Sequence, residues 1–243
     1  MLDFSIYSFY FETKLGKTLV FADPHLGFER FRGINVRSKL EIKLAKFINE
    51  EKPDAVIILG DVKEDIGLSK FTEKILLDFF SLLRDVQVII TKGNHDGKIE
   101  EVTTKFENVN VVEFFLDKGL LFVHGHKNLP NVKFKKVIMG HIHPSILIST
   151  ESGVRRKVKC FLRTSDILVF PTINPFYEGI NFRDGIKMSP ILKNYKEFEI
   201  IIPPGIYLKK VLYSWREKSD PYRSLDHSHF NLRFWNGMGY RGQ

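Results

Sequence analysis

The stretch Val86-Gln87-Val88-Ile89-Ile90-Thr91-Lys92-Gly93-Asn94-His95-Asp96 decides the fold. Its β-branched apolar run reads as a strand buried on both faces. The run stops at a glycine followed by Asn, His and Asp, side chains that ligate metals or move protons. Upstream, Ser69 is the N-cap of a helix through Leu83, with Phe71, Ile75, Phe79 and Leu82 at three-to-four-residue spacing. Before that helix, Asp54 to Leu59 is another buried-type strand, ending at Gly60-Asp61. Ser38 to Asn49 carries Leu40, Leu44, Phe47 and Ile48 on one helical face, and Lys17 to Ala22 is a strand ending at Asp23-Pro24-His25. Downstream, Ile99 to Phe106 suits a short helix, Leu120 to Val123 ends at His124-Gly125-His126, and Val137 to Met139 ends at Gly140-His141-Ile142-His143. Strands alternating with helices predict an α/β fold whose first 144 residues build a largely parallel sheet.

Ligands of open α/β sheets bind beyond the carboxyl ends of the strands. All five polar clusters fall at such ends, so they are expected to converge along one edge of a sheet. Six of the eight histidines lie in them. Asp23 and His25, two residues apart, can reach one cation, and the two oxygens of Asp61 can bridge two. Asn94 offers a neutral oxygen, and His124, His141 and His143 offer imidazole nitrogens. No cysteine belongs to any cluster, so a mixed N/O shell for Mn²⁺, Fe or Zn²⁺ is expected rather than a zinc finger. A pair of cations about 3.5–4 Å apart generates hydroxide near neutral pH and neutralises phosphate oxygens. His95 has the pKa class of a general acid for the leaving alkoxide, with Asp96 to orient or tune it.

From Ser145 the texture changes. Ile146 to Ile148, Val154 to Leu162, Ile167 to Phe170 and Phe198 to Ile202 read as strands of a second, mainly antiparallel sheet, punctuated by prolines and poor in helical periodicity. Residues 1–213 are read as a single domain and 214–243 as a polar, aromatic tail, flexible or docking, that includes His227 and His229. The net charge of +8 suits a polyanion such as nucleic acid, although scattered lysines also give such a charge without that role. No apolar run approaches the roughly 20 residues of a membrane span. The start has no signal-peptide pattern, and the single cysteine, Cys160, suits a reducing compartment. A cytoplasmic protein is expected.

Asp23-Pro24-His25-Leu26-Gly27, Gly60-Asp61, Gly93-Asn94-His95-Asp96, His124-Gly125-His126 and Gly140-His141-Ile142-His143 together resemble the five motifs of calcineurin-like metallophosphoesterases. The Asp23 to Glu29 opening is most similar to that of archaeal SbcD-related phosphoesterases, which are similar in turn to ligase-associated ones. The resemblance covers about residues 17 to 144. It implies a four-layer α/β/β/α sandwich, two sheets flanked by helices. It implies Asp23, His25 and His143 on one metal, Asn94, His124 and His141 on the other, Asp61 between them, and His95 as general acid. His126 is expected to support the ligands. Two divalent ions are implied, Mn²⁺ first, with Fe, Zn²⁺ or Ni²⁺ as alternatives.

The implied activity is phosphodiester hydrolysis by a metal-bridging hydroxide, on DNA ends or nucleotides. The alternatives are a phosphomonoesterase, a cyclic-nucleotide phosphodiesterase, or a non-catalytic scaffold of the same fold. A phosphoester substrate, with nucleic acid as a candidate and no membrane, is the expected partner. Arg30, Arg32 and Arg37 are candidate phosphate contacts, with a solvated helix face as the plainer role. Two departures from the pattern stand out. Glu64 occupies a place where many relatives carry another acid or a histidine. The 29 positions from His95 to His124 and 17 from His124 to His141 leave no room for a nuclease cap.

Overall fold

The computed structural model describes residues 3–33, 37–149, 153, 155–203 and the backbone of 206–212. The expected tail, with His227 and His229, lies outside the described residues. Strands β1 (Phe9–Thr13), β2 (Gly16–Phe21), β3 (Ala55–Ile58), β4 (Gln87–Thr91) and β5 (Val109–Val112) form the first sheet in that order. Strands β2 to β5 run parallel, and β1 closes the edge antiparallel to β2. Helices α1 (Phe28–Phe31), α2 (Leu40–Glu51), α3 (Lys70–Ser81) and α4 (Glu100–Thr103) connect these strands. Ser69 caps α3, its side chain accepting from the Thr72 N–H.

The remaining strands are β6 (Phe115–Asp117), β7 (Leu120–Val123), β8 (Lys136–Met139), β9 (Pro144–Ser149), β10 (Arg155–Lys159), β11 (Phe161–Arg163), β12 (Ile167–Val169), β13 (Ile180–Asn181), β14 (Glu197–Ile202) and β15 (Ile206–Leu212). The second sheet has the order β15-β14-β11-β12-β8-β7-β6, and a small third sheet has the order β10-β9-β13. The second sheet is mixed rather than simply antiparallel, because β7, β8 and β12 form a parallel centre. The expected strand from Val154 to Leu162 breaks at buried Cys160, whose N–H donates to Pro144 O at 3.0 Å. Its halves, β10 and β11, belong to different sheets. Helix α5 (Phe182–Met188), unforeseen by periodicity, buries Phe182 and Ile186.

Alternation along the strands makes the layers. Leu19, Phe21, Val56, Ile58, Val88 and Ile90 face outward under α2, α3 and α4. Val20, Ala22, Ile57, Leu59 and Ile89 face inward, against Phe122, Ile138, Phe161, Leu168 and Phe170 of the second sheet. That sheet's outer residues Leu121, Val123, Val137, Met139 and Val169 pack on Ile146, Phe182 and Ile186. The result is the expected mixed α/β sandwich, with the fourth layer shared between α5 and the small sheet. No helix of the described residues is long and apolar enough to cross a membrane.

Candidate metal centre

Five clusters converge at one end of this sandwich, but from two sheets rather than one. Asp23, Asp61 and Asn94-His95 follow β2, β3 and β4 of the first sheet, and His124 and His141 follow β7 and β8 of the second. The turns that carry them are strained. Asp23, His25, Asp61, His141 and His143 all adopt positive φ, at 52°, 43°, 44°, 73° and 42°. Such φ costs a non-glycine residue about 1–3 kcal/mol. Gly60 is required for a steric reason as well: a Cβ there would sit 2.6 Å from Cγ of His124.

Three donor groups result among the described residues: His25, Glu64 and His95 form one, and the other two share Asp61. Of the two that share Asp61, the first places one ligand atom each of Asp23, His25, Asp61 and His143 within 4.8 Å of one another, and the second does so for Asp61, His124 and His141. In the first group Nε2 of His25 lies 3.1 Å from Nε2 of His143, which is itself 3.4 Å from Asp23 Oδ2. In the second, Nε2 of His124 lies 3.3 Å from Asp61 Oδ2, 3.2 Å from Asn94 Oδ1 and 3.1 Å from Nδ1 of His141. His124 Nδ1 donates to Leu59 O at 2.9 Å, so the Nε2 lone pair is the one aimed at this group. Asp23 is fully buried, and its Oδ1 accepts no hydrogen bond. A buried, acceptor-only oxygen of that kind fits a cation.

The charges are strongly linked. Burial pushes the Asp61 carboxyl up, but His124 and His25 outweigh it and hold it far below the ordinary range. Burial alone would lower His124, yet the Asp61 and Asp23 carboxylates raise it to about 9. His141 is pushed down to about 4 by burial and by His124. Nitrogens and carboxylates crowded this closely compete for protons that a divalent cation displaces on binding.

The expectations for Asp96 and Arg37 require correction. Asp96 does not orient His95: it is wholly buried, and its carboxylate accepts from Val62 N at 2.8 Å and Gly93 N at 2.9 Å, tying two motif loops together. His95 is instead held by its Nδ1, which donates to Glu64 O at 2.7 Å, and by its N–H, which donates to Asp61 Oδ1 at 2.8 Å. Arg37 is committed to Glu41 and Asp78, at 2.6 and 2.7 Å. Arg30 and Arg32 are exposed, stacked over Phe71 and Phe28. Glu64 sits with Oε2 2.6 Å from His25 Nδ1. His126 packs beside His124, ring centroids 5.1 Å apart, and joins none of the donor groups.

Sequence reasoning missed the brace behind the first group. Thr172 Oγ1 donates to Asp23 O at 2.6 Å, and Asn174 Nδ2 donates to Pro24 O at 2.9 Å and His25 O at 3.3 Å. Lys159 Nζ is buried against Thr172 O and Asn174 O. Lys63 Nζ, also buried, donates to Asp65 O, Gly67 O and His95 O, joining the second and third motifs. Tyr177 stacks on His25 at 5.5 Å and meets His143 edge-on at 4.7 Å. The only local signal was the Asn174-Pro175 turn dipeptide.

Paired donor groups at the ends of two stacked sheets could hold two metal ions. The chain belongs to the calcineurin-like phosphoesterase family, whose sequence pattern matches residues 16–154, and it is a metal-dependent phosphoester hydrolase. Its fold is similar to that of the nuclease MPE of Pseudomonas putida, with TM-score 0.56 and 19% identity over 81% of this chain and 89% of that one. A weaker likeness links it to Yfce, a phosphoesterase from E. coli, with TM-score 0.39 and 16% identity over 81% and 99% of the two chains. No curated protein matches.

Proposed function

We propose that the protein is a binuclear metal-dependent phosphodiesterase, with nucleic-acid ends or nucleotides as substrate. Asp23, His25 and His143 would hold one cation, Asn94, His124 and His141 the other, and Asp61 both. The observation that carries this reading is the sharing of Asp61 between two donor groups. The N/O donor set suits Mn²⁺, Fe, Zn²⁺ or Ni²⁺ alike, and the resemblance to the family puts Mn²⁺ first. Bound there, two cations would neutralise phosphate charge and activate water. The chain's own part is to orient and to move a proton. With Nδ1 of His95 donating to Glu64 O, Nε2 is left to protonate the leaving alkoxide. An alkoxide leaving group, of an alkyl diester or monoester alike, needs that acid. Asn94 is exposed, and His95 and His141 are half-buried, so a polymer can reach the site. The net charge of +8 and the nuclease of similar fold support a nucleic-acid substrate. The Asp23 to Glu29 motif supports kinship with SbcD-related phosphoesterases.

The test is a Mn²⁺-supplemented panel of a phosphomonoester, a simple diester, a cyclic nucleotide, and single- and double-stranded DNA and RNA. Diester hydrolysis that falls roughly 10²–10⁴-fold in His95→Gln, with both metals retained, is expected. Activity confined to the monoester, or unchanged in His95→Gln, would overturn the assignment.

A further inference from the structure

Six large hydrophobic side chains are exposed among the described residues: Phe31, Ile42, Ile66, Leu82, Phe176 and Met188. Ile42 and Leu82 lie on or beside the outer helices α2 and α3. The other four lie on segments that touch the candidate metal ligands. Phe31 closes α1, one helical turn after Phe28, and the Phe28 ring packs 5.0 Å from the Tyr177 ring that stacks on His25. Phe176, 46% exposed, precedes Tyr177 in a turn closed by Tyr177 N donating to Asn174 O. Ile66 follows Glu64, whose carboxylate faces His25. Met188 ends α5 and hydrogen-bonds His141 through its backbone. Cations are interleaved with the aromatics on the same turn: the Arg30 guanidinium lies 4.7 Å over Phe71, and that of Arg32 lies 5.0 Å over Phe28.

We infer that Phe31, Phe176 and Tyr177, with Arg30 and Arg32, form a stacking platform for the unpaired nucleotides of a nucleic-acid strand. The inference rests on the phosphodiesterase reading above and names its substrate class. Aromatic faces accept any base, and guanidinium groups seated over neighbouring rings meet the flanking phosphates. Tyr177 links the platform to the metal groups, so a strand stacked here has its backbone beside His25 and His143. A second copy of this chain is a poorer occupant, because it would bring a second net charge of +8 against the same arginines.

The probes are labelled oligothymidylate and oligouridylate, bound to Mn²⁺-loaded chain carrying His95→Gln to prevent turnover and followed by fluorescence anisotropy. Phe31→Ala and Phe176→Ala alter exposed side chains and should leave the thermal midpoint unchanged. Each is expected to weaken binding of one or both strands by about fivefold or more, the value of one lost base–aromatic stack. Hydrolysis of bis(p-nitrophenyl) phosphate, measured with His95 intact, should stay within a factor of about two, since a small diester does not reach the platform. Unchanged strand affinity in both variants would overturn the platform. So would a wild-type surface that binds neither strand, or a change in oligomeric state in place of a change in strand affinity. Failure of the wild-type chain to hydrolyse the small diester would instead strike the phosphodiesterase reading itself.

Discussion

Asn174→Leu tests how the first donor group is held together. The substitution keeps the shape of a fully buried side chain and removes its polar atoms. Asn174 Nδ2 serves Pro24 O at 2.9 Å and His25 O at 3.3 Å, and its Oδ1 accepts from Phe176 N at 2.9 Å. His25 O keeps a partner in Phe28 N at 3.1 Å, so Pro24 O is the acceptor left stranded. A stranded buried carbonyl costs about 1–3 kcal/mol, and the lost Phe176 contact adds about 1 kcal/mol. The expected loss of stability is therefore about 2–4 kcal/mol, a large share of a typical domain's total. The site should suffer beyond this, because Asn174 and Thr172 pin the backbone of Asp23 and His25, both at positive φ. Urea denaturation in chelator measures the first effect, and calorimetric titration with Mn²⁺ measures the second, seen as weaker binding at one of two sites. A stability within about 0.5 kcal/mol of wild type, together with unaltered Mn²⁺ affinity, would refute the brace.

Glu64→Gln removes the charge beside His25 Nδ1 while keeping the side chain's shape. It should lower Mn²⁺ affinity at one site by about 10–100-fold, the usual effect of losing a carboxylate partner of a ligating histidine, as read by calorimetry. Lys159 is pushed down by burial to about 7, so between that pH and its unfolded value near 10.5 the unfolded chain binds a proton that the folded chain does not. Folding stability should therefore rise with pH across this window, by at most about 1.4 kcal/mol per pH step relative to Lys159→Met. Parallel pH profiles of the two proteins would exclude the effect.

The strands and the donor motifs were legible because both obey short-range rules. A parallel strand buried on both faces must be an apolar run, and a ligand loop must follow its carboxyl end, so Val86 to His95 announces both at once. Tertiary choices carried no such signal. Whether Asp96 turns toward His95 or into the Val62 and Gly93 N–H groups depends on a neighbouring loop 34 residues away. Arg37 is drawn off by Asp78, which is 41 residues distant. The break at Cys160 separates two runs of equal strand propensity, and only the Pro144 carbonyl of β9 shows where the chain changes sheets. Thr172 and Asn174 cross between the sheets to hold Asp23, Pro24 and His25, about 150 residues earlier in the chain, a pairing that no short-range rule announces.

Asp61, shared by two donor groups, is the centre of the account, and anomalous diffraction at the manganese edge tests it most directly. Crystals of the wild-type chain grown with Mn²⁺ should give two peaks about 3.5–4 Å apart, one beside Asp23, His25 and His143 and one beside Asn94, His124 and His141, with the Asp61 carboxylate between them. Asp61→Asn crystals should show both peaks reduced. A single peak in the wild type, or two peaks at full occupancy in Asp61→Asn, would contradict a binuclear centre bridged by this residue.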